Sequence, residues 1–432
     1  MASKSAQLAI LGGERAVPEG MIAKWPPVDE ADREMVLASL NGPVHAFGPN
    51  CQAFQEEFAE WNGNKHAIFT NSGTAALHMA VAACGVGAGD HVLVPAYSFS
   101  SSATCIIHHN AVPVFVDIDF DTINIDVDKI EAAITPRAKA IIVVHLHGLA
   151  VNMQKVMAVA RKHNLKVIED CCQAHGALFD GKKVGTFGDC AAFSFNQNKC
   201  LCSGEGGMLV TDDDEIRATA TQVWSFGETR TPAESRDYHA YALGWMYRGN
   251  DMTAAFGRAQ LQKLDHYFNT QRENGAVLNN ELKNIEGLII PTEPDGHTHN
   301  WYNHTSRIDM DAIGWTADPR RMRDAIMKAL NAEGVPASVW QNFILPAMTV
   351  FRAKNAYGGG CPWSCHLAEG VEVEYDPAAY PAAQKHTDTH FGMTTPLRAP
   401  NGSDVAKVVA VGFRKVFENI DKIDPDEILA VK

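Results

Sequence analysis

The sequence predicts an α/β protein whose larger domain is built on a doubly wound, mostly parallel sheet. Between residues 66 and 211, short Val/Ile-rich runs alternate with helical stretches. These runs lack a clean alternation of apolar and polar residues, as expected for strands that are covered on both faces. The chain has 432 residues, more than one ordinary domain needs. Strand–helix alternation favours a parallel sheet, and ligands of such sheets bind at the carboxyl ends of the strands.

The elements of the larger domain follow one another in a regular order. The predicted strands are 66–70, 91–94, 112–117, 140–145, 166–170, 191–195 and 207–211. The predicted helices are 73–84, 100–109, 126–134, 152–163, 215–224 and 254–282. Asp126 is a candidate cap for the third of these helices. The last helix is long enough to link two domains.

A second α/β segment begins near residue 300. It contains a predicted strand at 301–308, a helix at 318–333 and a strand at 336–340. A stretch rich in Gly and Pro at 355–380 reads as loop, and a helix at 404–419 follows it. We therefore expect residues 1–290 to form an N-terminal arm and the large domain, and residues 291–432 to form a smaller C-terminal domain.

Composition and charge exclude several classes of function. The chain carries 37 Lys and Arg against 51 Asp and Glu, a formal net charge of −14, and has no long basic run. We therefore expect neither nucleic acid nor an anionic membrane as a partner, and attribute the charge to solubility. Residues 1–11 lack the apolar core of a signal peptide, so we expect a cytoplasmic protein with reduced thiols. The ten cysteines lack zinc-site spacing, so we expect no metal.

Four polar or aromatic clusters lie at predicted strand ends, and the first is Asn71-Ser72-Gly73-Thr74. It follows a strand and opens a helix. Exposed N–H groups at a helix start, together with two small hydroxyls, make an anion site. The alternative is an ordinary Ser/Thr helix cap.

The second cluster is Glu169-Asp170-Cys171-Cys172-Gln173, at the end of a predicted buried strand. A carboxylate in that position must have a partner or shift its pKa, and a protonated ring nitrogen would be such a partner. The alternative is that Asp170 caps a following helix.

The remaining two clusters contain a lysine and an aromatic residue. Lys199 ends the run from Ser194 and precedes a Gly-rich turn, where desolvation would lower its pKa and make the amine a better nucleophile. The alternative is a solvated surface lysine. Phe99 follows the strand at 91–94, as either a core residue or a stacking platform for a flat ring.

Together the four clusters describe one ligand, a planar heteroaromatic ring with a phosphate and an aldehyde. The helix start at Ser72 would take the phosphate, and Asp170 the ring nitrogen. Phe99 would stack on one ring face, and Lys199 would hold the aldehyde as a Schiff base. That ligand is pyridoxal 5′-phosphate (PLP), whose protein signature is a Lys Schiff base with an Asp partner for the ring nitrogen.

Over nearly its whole length the chain resembles the DegT/DnrJ/EryC1/StrS aminotransferases, PLP enzymes of fold-type I. The matching segments are Asn71-Ser72-Gly73-Thr74-Ala75-Ala76-Leu77, Val94-Pro95-Ala96-Tyr97-Ser98-Phe99, Val144-His145-Leu146-His147-Gly148, Glu169-Asp170-Cys171-Cys172-Gln173-Ala174-His175-Gly176, Ser194-Phe195-Asn196-Gln197-Asn198-Lys199 and Gly204-Glu205-Gly206-Gly207. Leu11-Gly12-Gly13 and Cys361-Pro362-Trp363 are similar to the cyclitol and aminohydroxybenzoate branch. The resemblance implies a mostly parallel seven-stranded sheet in the large domain.

The resemblance also implies roles for individual residues. Lys199 and Asp170 match the family's catalytic pair, the Schiff-base lysine and the partner of the pyridine nitrogen. Gln173 matches the residue beside the ring and its 3-hydroxyl, and Phe99 the stacking aromatic. The residues that match phosphate contacts are Gly73, Thr74 and Ser194. His145, at a strand end, is either a substrate contact or a satisfied histidine of the core.

One segment departs from the family pattern. The family often has Gly-x-Asn-x-Arg near position 248, and its Asn reaches the phosphate bound by the neighbouring subunit. Here Met246 stands in place of that Asn and cannot donate a hydrogen bond to phosphate. The resemblance implies a homodimer with shared active sites, and Arg248 is our candidate for the group contributed to substrate or cofactor. Asn250 remains an alternative.

The activity implied is a ping-pong transamination in amino sugar, aminocyclitol or antibiotic biosynthesis. L-Glutamate or L-glutamine would donate the amino group, and a nucleotide-linked keto sugar or a keto cyclitol would accept it. One alternative is a PLP-dependent sugar dehydratase, whose hallmark is loss of the lysine that this chain retains. Another is a PLP-binding regulatory protein without turnover. We expect acceptor specificity to lie in the loops at 226–241 and 355–380.

Overall fold

The computed structural model describes residues 6–229 and 238–431. Its strands are β1 His66–Thr70, β2 His91–Pro95, β3 Val112–Val116, β4 Ala138–Val144, β5 Lys166–Asp170, β6 Leu178–Phe179, β7 Lys182–Lys183, β8 Cys190–Ser194, β9 Gly207–Thr211, β10 Leu288–Ile289, β11 His297–Thr298, β12 His304–Ile308 and β13 His390–Met393. Its helices are α1 Glu30–Leu40, α2 Pro49–Asn62, α3 Gly73–Ala83, α4 Ser101–His108, α5 Met153–His163, α6 Asp214–Trp224, α7 Asp251–Leu261, α8 Leu264–Leu282, α9 Pro319–Ala332, α10 Thr349–Arg352, α11 Pro381–Thr389, α12 Ser403–Phe417 and α13 Pro425–Ala430.

The large domain is organised by a seven-stranded sheet in the order β1-β9-β8-β5-β4-β2-β3. Neighbours from β3 to β8 pair in parallel, and β9 runs antiparallel to both β8 and β1. Two separate apolar clusters lie against it, which confirms that its strands are covered on both faces. The predicted mostly parallel α/β fold is therefore confirmed.

A second, antiparallel sheet of order β10-β12-β13 organises the C-terminal part of the chain. A third apolar cluster forms between this sheet and α8, α9 and α12. Leu8 and Val17 of the N-terminal segment belong to the same cluster. The division of the chain after residue 290 stays a prediction. None of the helices in residues 6–229 and 238–431 combines the length and apolarity that a bilayer crossing requires.

Three predicted elements are wrong or altered. Residues 126–134 contain only a 3-10 turn, Glu131–Ala133, because the Asp126 side chain accepts the Asp128 N–H at 3.1 Å and forms a local turn instead of a helix. The single helix at 254–282 is two helices, which meet where Gln260 and Lys263 bond the carboxylate of Asp32 on α1. The strand at 336–340 is reduced to one bridge with β13.

Candidate active site

A cavity of about 310 Å³ opens at the carboxyl ends of β1, β2, β4, β5 and β8. The structure brings together all the residues that the sequence predicts for the cofactor, since each lines this cavity: Ser72, Gly73, Thr74, Phe99, Asp170, Gln173, Ser194 and Lys199. A larger groove of about 780 Å³ lies beside Trp315 and Lys385. It is lined by none of these residues, so the smaller cavity is the candidate active site.

The start of α3 forms one end of the cavity. Ser72 Oγ accepts the Ala75 N–H at 3.1 Å, so its predicted role as a helix cap is confirmed. The N–H groups of Gly73 and Thr74 precede the first intrahelical bond and lie at the positive end of the helix dipole. A Cβ on Gly73 would lie 2.7 Å from Ser194 Cβ, so only glycine lets α3 approach β8 this closely. Ser72 can therefore cap the helix while the N–H groups of Gly73 and Thr74 bind an anion.

Asp170 is buried at the end of β5, and both of its carboxylate oxygens are engaged. Oδ1 accepts the Cys172 N–H at 3.1 Å, and Oδ2 accepts the Ser102 hydroxyl at 2.7 Å. Ser98 Oγ lies 2.8 Å from Ser102 Oγ and extends this chain of hydroxyls. Asp170 therefore caps a tight turn rather than a helix. Donors on both oxygens set the direction of the carboxylate.

Lys199 lies partly buried in the cavity wall, with Nζ 4.9 Å from the centroid of the Tyr302 ring. Burial lowers the pKa of its amine, as predicted. The neighbouring Tyr302, Cys172 and Asp170 raise that pKa by more, so the net pKa lies above the ordinary value of 10.5. The predicted direction was therefore wrong, because the attraction of nearby groups outweighs desolvation. Lys199 is not a solvated surface lysine.

Phe99 and Gln173 complete the predicted set. The Phe99 side chain is 52% exposed although it lines the cavity, so it is available for stacking rather than used in the core. Gln173 Oε1 accepts the His147 N–H at 2.8 Å. This bond orients the amide and leaves its NH2 group to donate toward the cavity.

His145 lies outside the cavity and is fully buried. Its Nδ1 accepts the Val151 N–H at 3.0 Å, and its Nε2 lies 3.0 Å from Glu169 Oε2, so both ring nitrogens have a partner. Glu169 also accepts three backbone N–H groups from residues 185–188. His145, Glu169 and Cys171 bring possible metal ligands within 4.8 Å, but these bonds already use the lone pairs of His145 and Glu169. His145 is therefore the satisfied core histidine, and the expected substrate contact is corrected.

The segment 244–250 runs beside the start of α3. The Asn71 N–H donates to the Tyr247 carbonyl at 2.8 Å, and Thr70 pairs with Arg248. Arg248 does not line the cavity, and its guanidinium carbon lies 5.5 Å from the Phe226 ring centroid. The Asn250 side chain caps α7 by accepting the Thr253 N–H at 3.0 Å, so of the two predicted candidates for a contact with a second copy, Asn250 already has a structural role.

The two predicted specificity loops differ in what the structure shows. Of 226–241, residues 230–237 lie outside the described residues. The stretch 355–380 does not line the cavity; it packs over the β3 edge, where Tyr375 donates to the Pro113 carbonyl at 2.7 Å. Within the described chain, the residues of the C-terminal part that line the cavity are Tyr302 and Trp340.

Sequence reasoning gave no role to Ser98, Ser102, Tyr302 and Trp340, which the structure places at or beside the site. Ser98 precedes α4 and Ser102 lies in its first turn, so small hydroxyls around a helix start after a strand were a usable signal. Tyr302 and Trp340 carry no such signal, because both lie in segments predicted as strands of the small domain. Only the folding of that domain against the sheet brings them to the cavity.

Sequence comparisons agree with this geometry. The model of the DegT/DnrJ/EryC1/StrS aminotransferase family matches residues 26–372. GDP-perosamine synthase of Caulobacter vibrioides is 37% identical over 312 residues, which are 72% of this chain and 81% of that protein. L-glutamine:2-deoxy-scyllo-inosose aminotransferase of Streptomyces kanamyceticus is 35% identical over 306 residues, which are 69% of this chain and 71% of that protein.

Solved structures show the same fold. The aminotransferase from Psychrobacter cryohalolentis superposes with a TM-score of 0.78 at 28% identity and covers 93% of this chain and all of that one. The crystal structure of 3-amino-5-hydroxybenzoic acid synthase has a TM-score of 0.79 at 28% identity, with 92% of this chain and 99% of that one covered.

Proposed function

This chain belongs to the DegT/DnrJ/EryC1/StrS aminotransferase family, and on that premise we propose that it is a PLP-dependent aminotransferase acting by a ping-pong mechanism. L-Glutamate or L-glutamine donates the amino group. The acceptor is a nucleotide-linked keto sugar or a keto cyclitol. The observation that carries the proposal is the convergence of the α3 start, Asp170 and Lys199 on one cavity.

The residues of the cavity fit PLP. The Gly73 and Thr74 N–H groups suit its phosphate. Because residue 73 is glycine, α3 approaches β8 closely, and Ser194 lies beside these N–H groups. Phe99 is exposed for stacking, and Asp170 suits a protonated ring nitrogen. When bound, PLP supplies an electron-accepting ring and an aldehyde for an amine.

Two side chains carry the reaction. Asp170, held by Ser102 and Cys172, stabilises positive charge at the ring nitrogen, since a fixed opposite charge favours protonation. Lys199 anchors the cofactor through its amine. With the amino donor in the cavity, the same amine, once free, would act as the base that takes up the donor Cα proton and as the acid that gives it back.

The charge balance of the cavity supports a homodimer with shared sites. Among the residues that the structure describes, its lining contains two acidic side chains, Asp170 and Glu205, and one cationic side chain, Lys199. The proposed ligands bring a phosphate and at least one carboxylate. Anions in such a site need further cations, so we propose that Arg248 of the second copy supplies one. Exposed apolar side chains near Arg248 in the sequence, Met246 at 51% and Leu243 at 71%, suit a two-fold interface.

The two acceptor classes correspond to two kinds of relative. The name of the Caulobacter protein indicates a nucleotide-linked sugar, and that of the Streptomyces protein a cyclitol. We carry both classes to this chain as candidates, and propose a cytoplasmic enzyme because all ten cysteines are free thiols. Lys199 in the cavity disfavours the dehydratase alternative.

Borohydride reduction tests the proposal. Reduction of the holoenzyme should fix a pyridoxyl group on the peptide that contains Lys199. Lys183 is the matched control, because burial lowers the pKa of its amine and so makes it reactive, yet it lies outside the cavity. Label on Lys183 in place of Lys199 would contradict the site. Reaction with the amino donor alone then distinguishes an aminotransferase, which converts the donor, from a regulatory protein, which does not. A screen of keto sugars and keto cyclitols by mass spectrometry identifies the acceptor.

A further inference from the structure

The backbone that carries Lys199 is held by two side chains from distant parts of the chain. The indole Nε1 of Trp25 donates to the Lys199 carbonyl at 3.0 Å. The guanidinium Nη2 of Arg398 donates to the carbonyl of Asn198 at 2.8 Å. Two successive carbonyls of one turn are therefore bonded by residues that lie 174 and 200 positions away in the sequence.

Arg398 also contacts the ring that faces the lysine amine. Its guanidinium carbon lies 5.3 Å from the Tyr302 ring centroid and 5.0 Å from the Trp25 ring centroid. The Tyr302 ring in turn lies 4.9 Å from Lys199 Nζ. Arg398 therefore acts on Lys199 at both ends, on its backbone through the turn and on its amine through Tyr302.

In the part of the chain that the structure describes, Arg398 is buried without an acidic partner, which packing alone does not explain. Its side chain is 2% exposed, and Nε has no hydrogen-bond partner among the described residues. The ion pairs of residues 6–229 and 238–431 do not include it. Burying a charge without a carboxylate partner is costly, and an apolar side chain would avoid that cost. Its carbonyl and ring contacts are the compensation that the structure provides.

Trp25 and Arg398 are joined to each other by Asn401. The Asn401 side chain donates to the Arg398 carbonyl at 2.9 Å and accepts the Ala23 N–H at 2.8 Å. Asn274 on α8 donates to the Leu397 carbonyl at 2.9 Å and holds the same loop. The N-terminal segment and the loop before α12 thus form one unit against the catalytic turn.

We propose that Trp25 and Arg398 are positioning residues, which set the reach and direction of the Lys199 amine without touching substrate or cofactor. The inference rests on the proposed role of Lys199. Because a planar guanidinium and an indole N–H are both directional donors, conservative replacements that keep bulk should already misplace the amine. The expected defect is in covalent capture of the aldehyde rather than in filling of the cavity.

The test compares two ligands of the apoenzyme in the variants Trp25→Phe and Arg398→Lys. PLP forms a covalent bond with the lysine, whereas pyridoxamine 5′-phosphate fills the same site without one. We expect the rate of covalent PLP capture, followed by absorbance, to fall at least tenfold in each variant. The dissociation constant of pyridoxamine 5′-phosphate should change less than threefold.

Matched controls lose the same kind of bond elsewhere. Trp315→Phe removes an indole bond to a main-chain carbonyl on the small domain. Arg323→Lys alters an equally buried guanidinium that also donates to a main-chain carbonyl. Both controls should capture PLP at the wild-type rate.

The outcomes separate the inference from the proposed function. Wild-type capture rates in both Trp25→Phe and Arg398→Lys would overturn the positioning role and leave Lys199 as proposed. Equal losses for PLP and pyridoxamine 5′-phosphate would also overturn it, because they indicate a general distortion of the cavity. Borohydride label away from Lys199 in the wild type would overturn the proposed function itself, and the positioning role with it.

Discussion

Ser102 on α4 donates its hydroxyl proton to Asp170 Oδ2 across 2.7 Å, although the two residues lie 68 positions apart. The bond holds the carboxylate in the direction of the cavity that it lines. Because Ser102 gives its proton to Asp170, Ser98 is the donor in the next bond of the chain. The orientation of Asp170 therefore depends on α4 as well as on β5.

Ser102→Ala should slow the amino-donor half-reaction by roughly ten- to a hundredfold. Hydrogen bonds to charged groups contribute about 1.5–3 kcal/mol, and their loss frees the carboxylate to turn. Stopped-flow absorbance of the holoenzyme measures the rate. Ser98→Ala, which leaves the bond to Asp170 intact, is the control and should have a smaller effect. Equal rates in Ser102→Ala and wild type would show that the bond does not orient Asp170.

Asp170→Asn should weaken PLP binding and slow the half-reaction by two orders of magnitude or more. The amide keeps the shape but lacks the charge that favours a protonated ring nitrogen. Dialysis against a cofactor-free buffer measures binding, and absorbance measures the rate. Asp189→Asn is the matched control, since Asp189 is paired with Lys166 outside the cavity. A wild-type rate with glutamate or glutamine in Asp170→Asn would refute the role.

Mixing two inactive variants, Lys199→Ala and Arg248→Ala, should restore part of the activity. If the active sites are shared, a mixed dimer has one site in which both residues are intact. Mass spectrometry of isotope-labelled subunits measures exchange, and product formation measures recovery. Absence of recovery despite complete exchange, or full activity of a monomer in sedimentation, would contradict shared sites.

The apoenzyme should lose stability as the pH falls below 6.5, and His386 should contribute to the loss. Its ring is fully buried without a hydrogen-bond partner in the described chain, and burial holds its pKa well below 6.5. The pKa of the same side chain in the unfolded protein is about 6.5. At pH values between the folded and the unfolded pKa, the unfolded chain binds a proton that the folded chain does not. The free energy of unfolding therefore decreases as the pH falls.

His386→Phe should reduce the loss of stability between pH 7.5 and pH 5 by up to about 2 kcal/mol. Urea unfolding of the apoenzyme at the two pH values measures the difference. His266→Phe, at an exposed position of α8, is the control and should leave the loss unchanged. An identical pH dependence in His386→Phe and wild type would show that the folded protein takes up the proton.

Much of the fold and the candidate site could be predicted from local patterns. Strand β5 was predicted to the residue because its apolar run is short and buried on both faces. Helices α1 and α2 were missed although signals were present, including the Asp29 capping box and Pro49 at the first position of α2. The predicted helix at 126–134 failed because a side chain–backbone bond competes with helix formation there.

The sequence by itself determined that the predicted cofactor residues meet at one cavity. Parallel strands end at one edge of the sheet, so Gly73, Phe99, Asp170 and Lys199, each at or beyond the carboxyl end of a strand, had to converge. Only the tertiary structure decided the pKa values and the hydrogen bonds of side chains at and near the cavity. The pKa of Lys199 and the hydrogen bonds of His145 depend on groups that are remote along the chain. Electrostatic and hydrogen-bond energies vary with the distance between atoms, which only the folded chain determines.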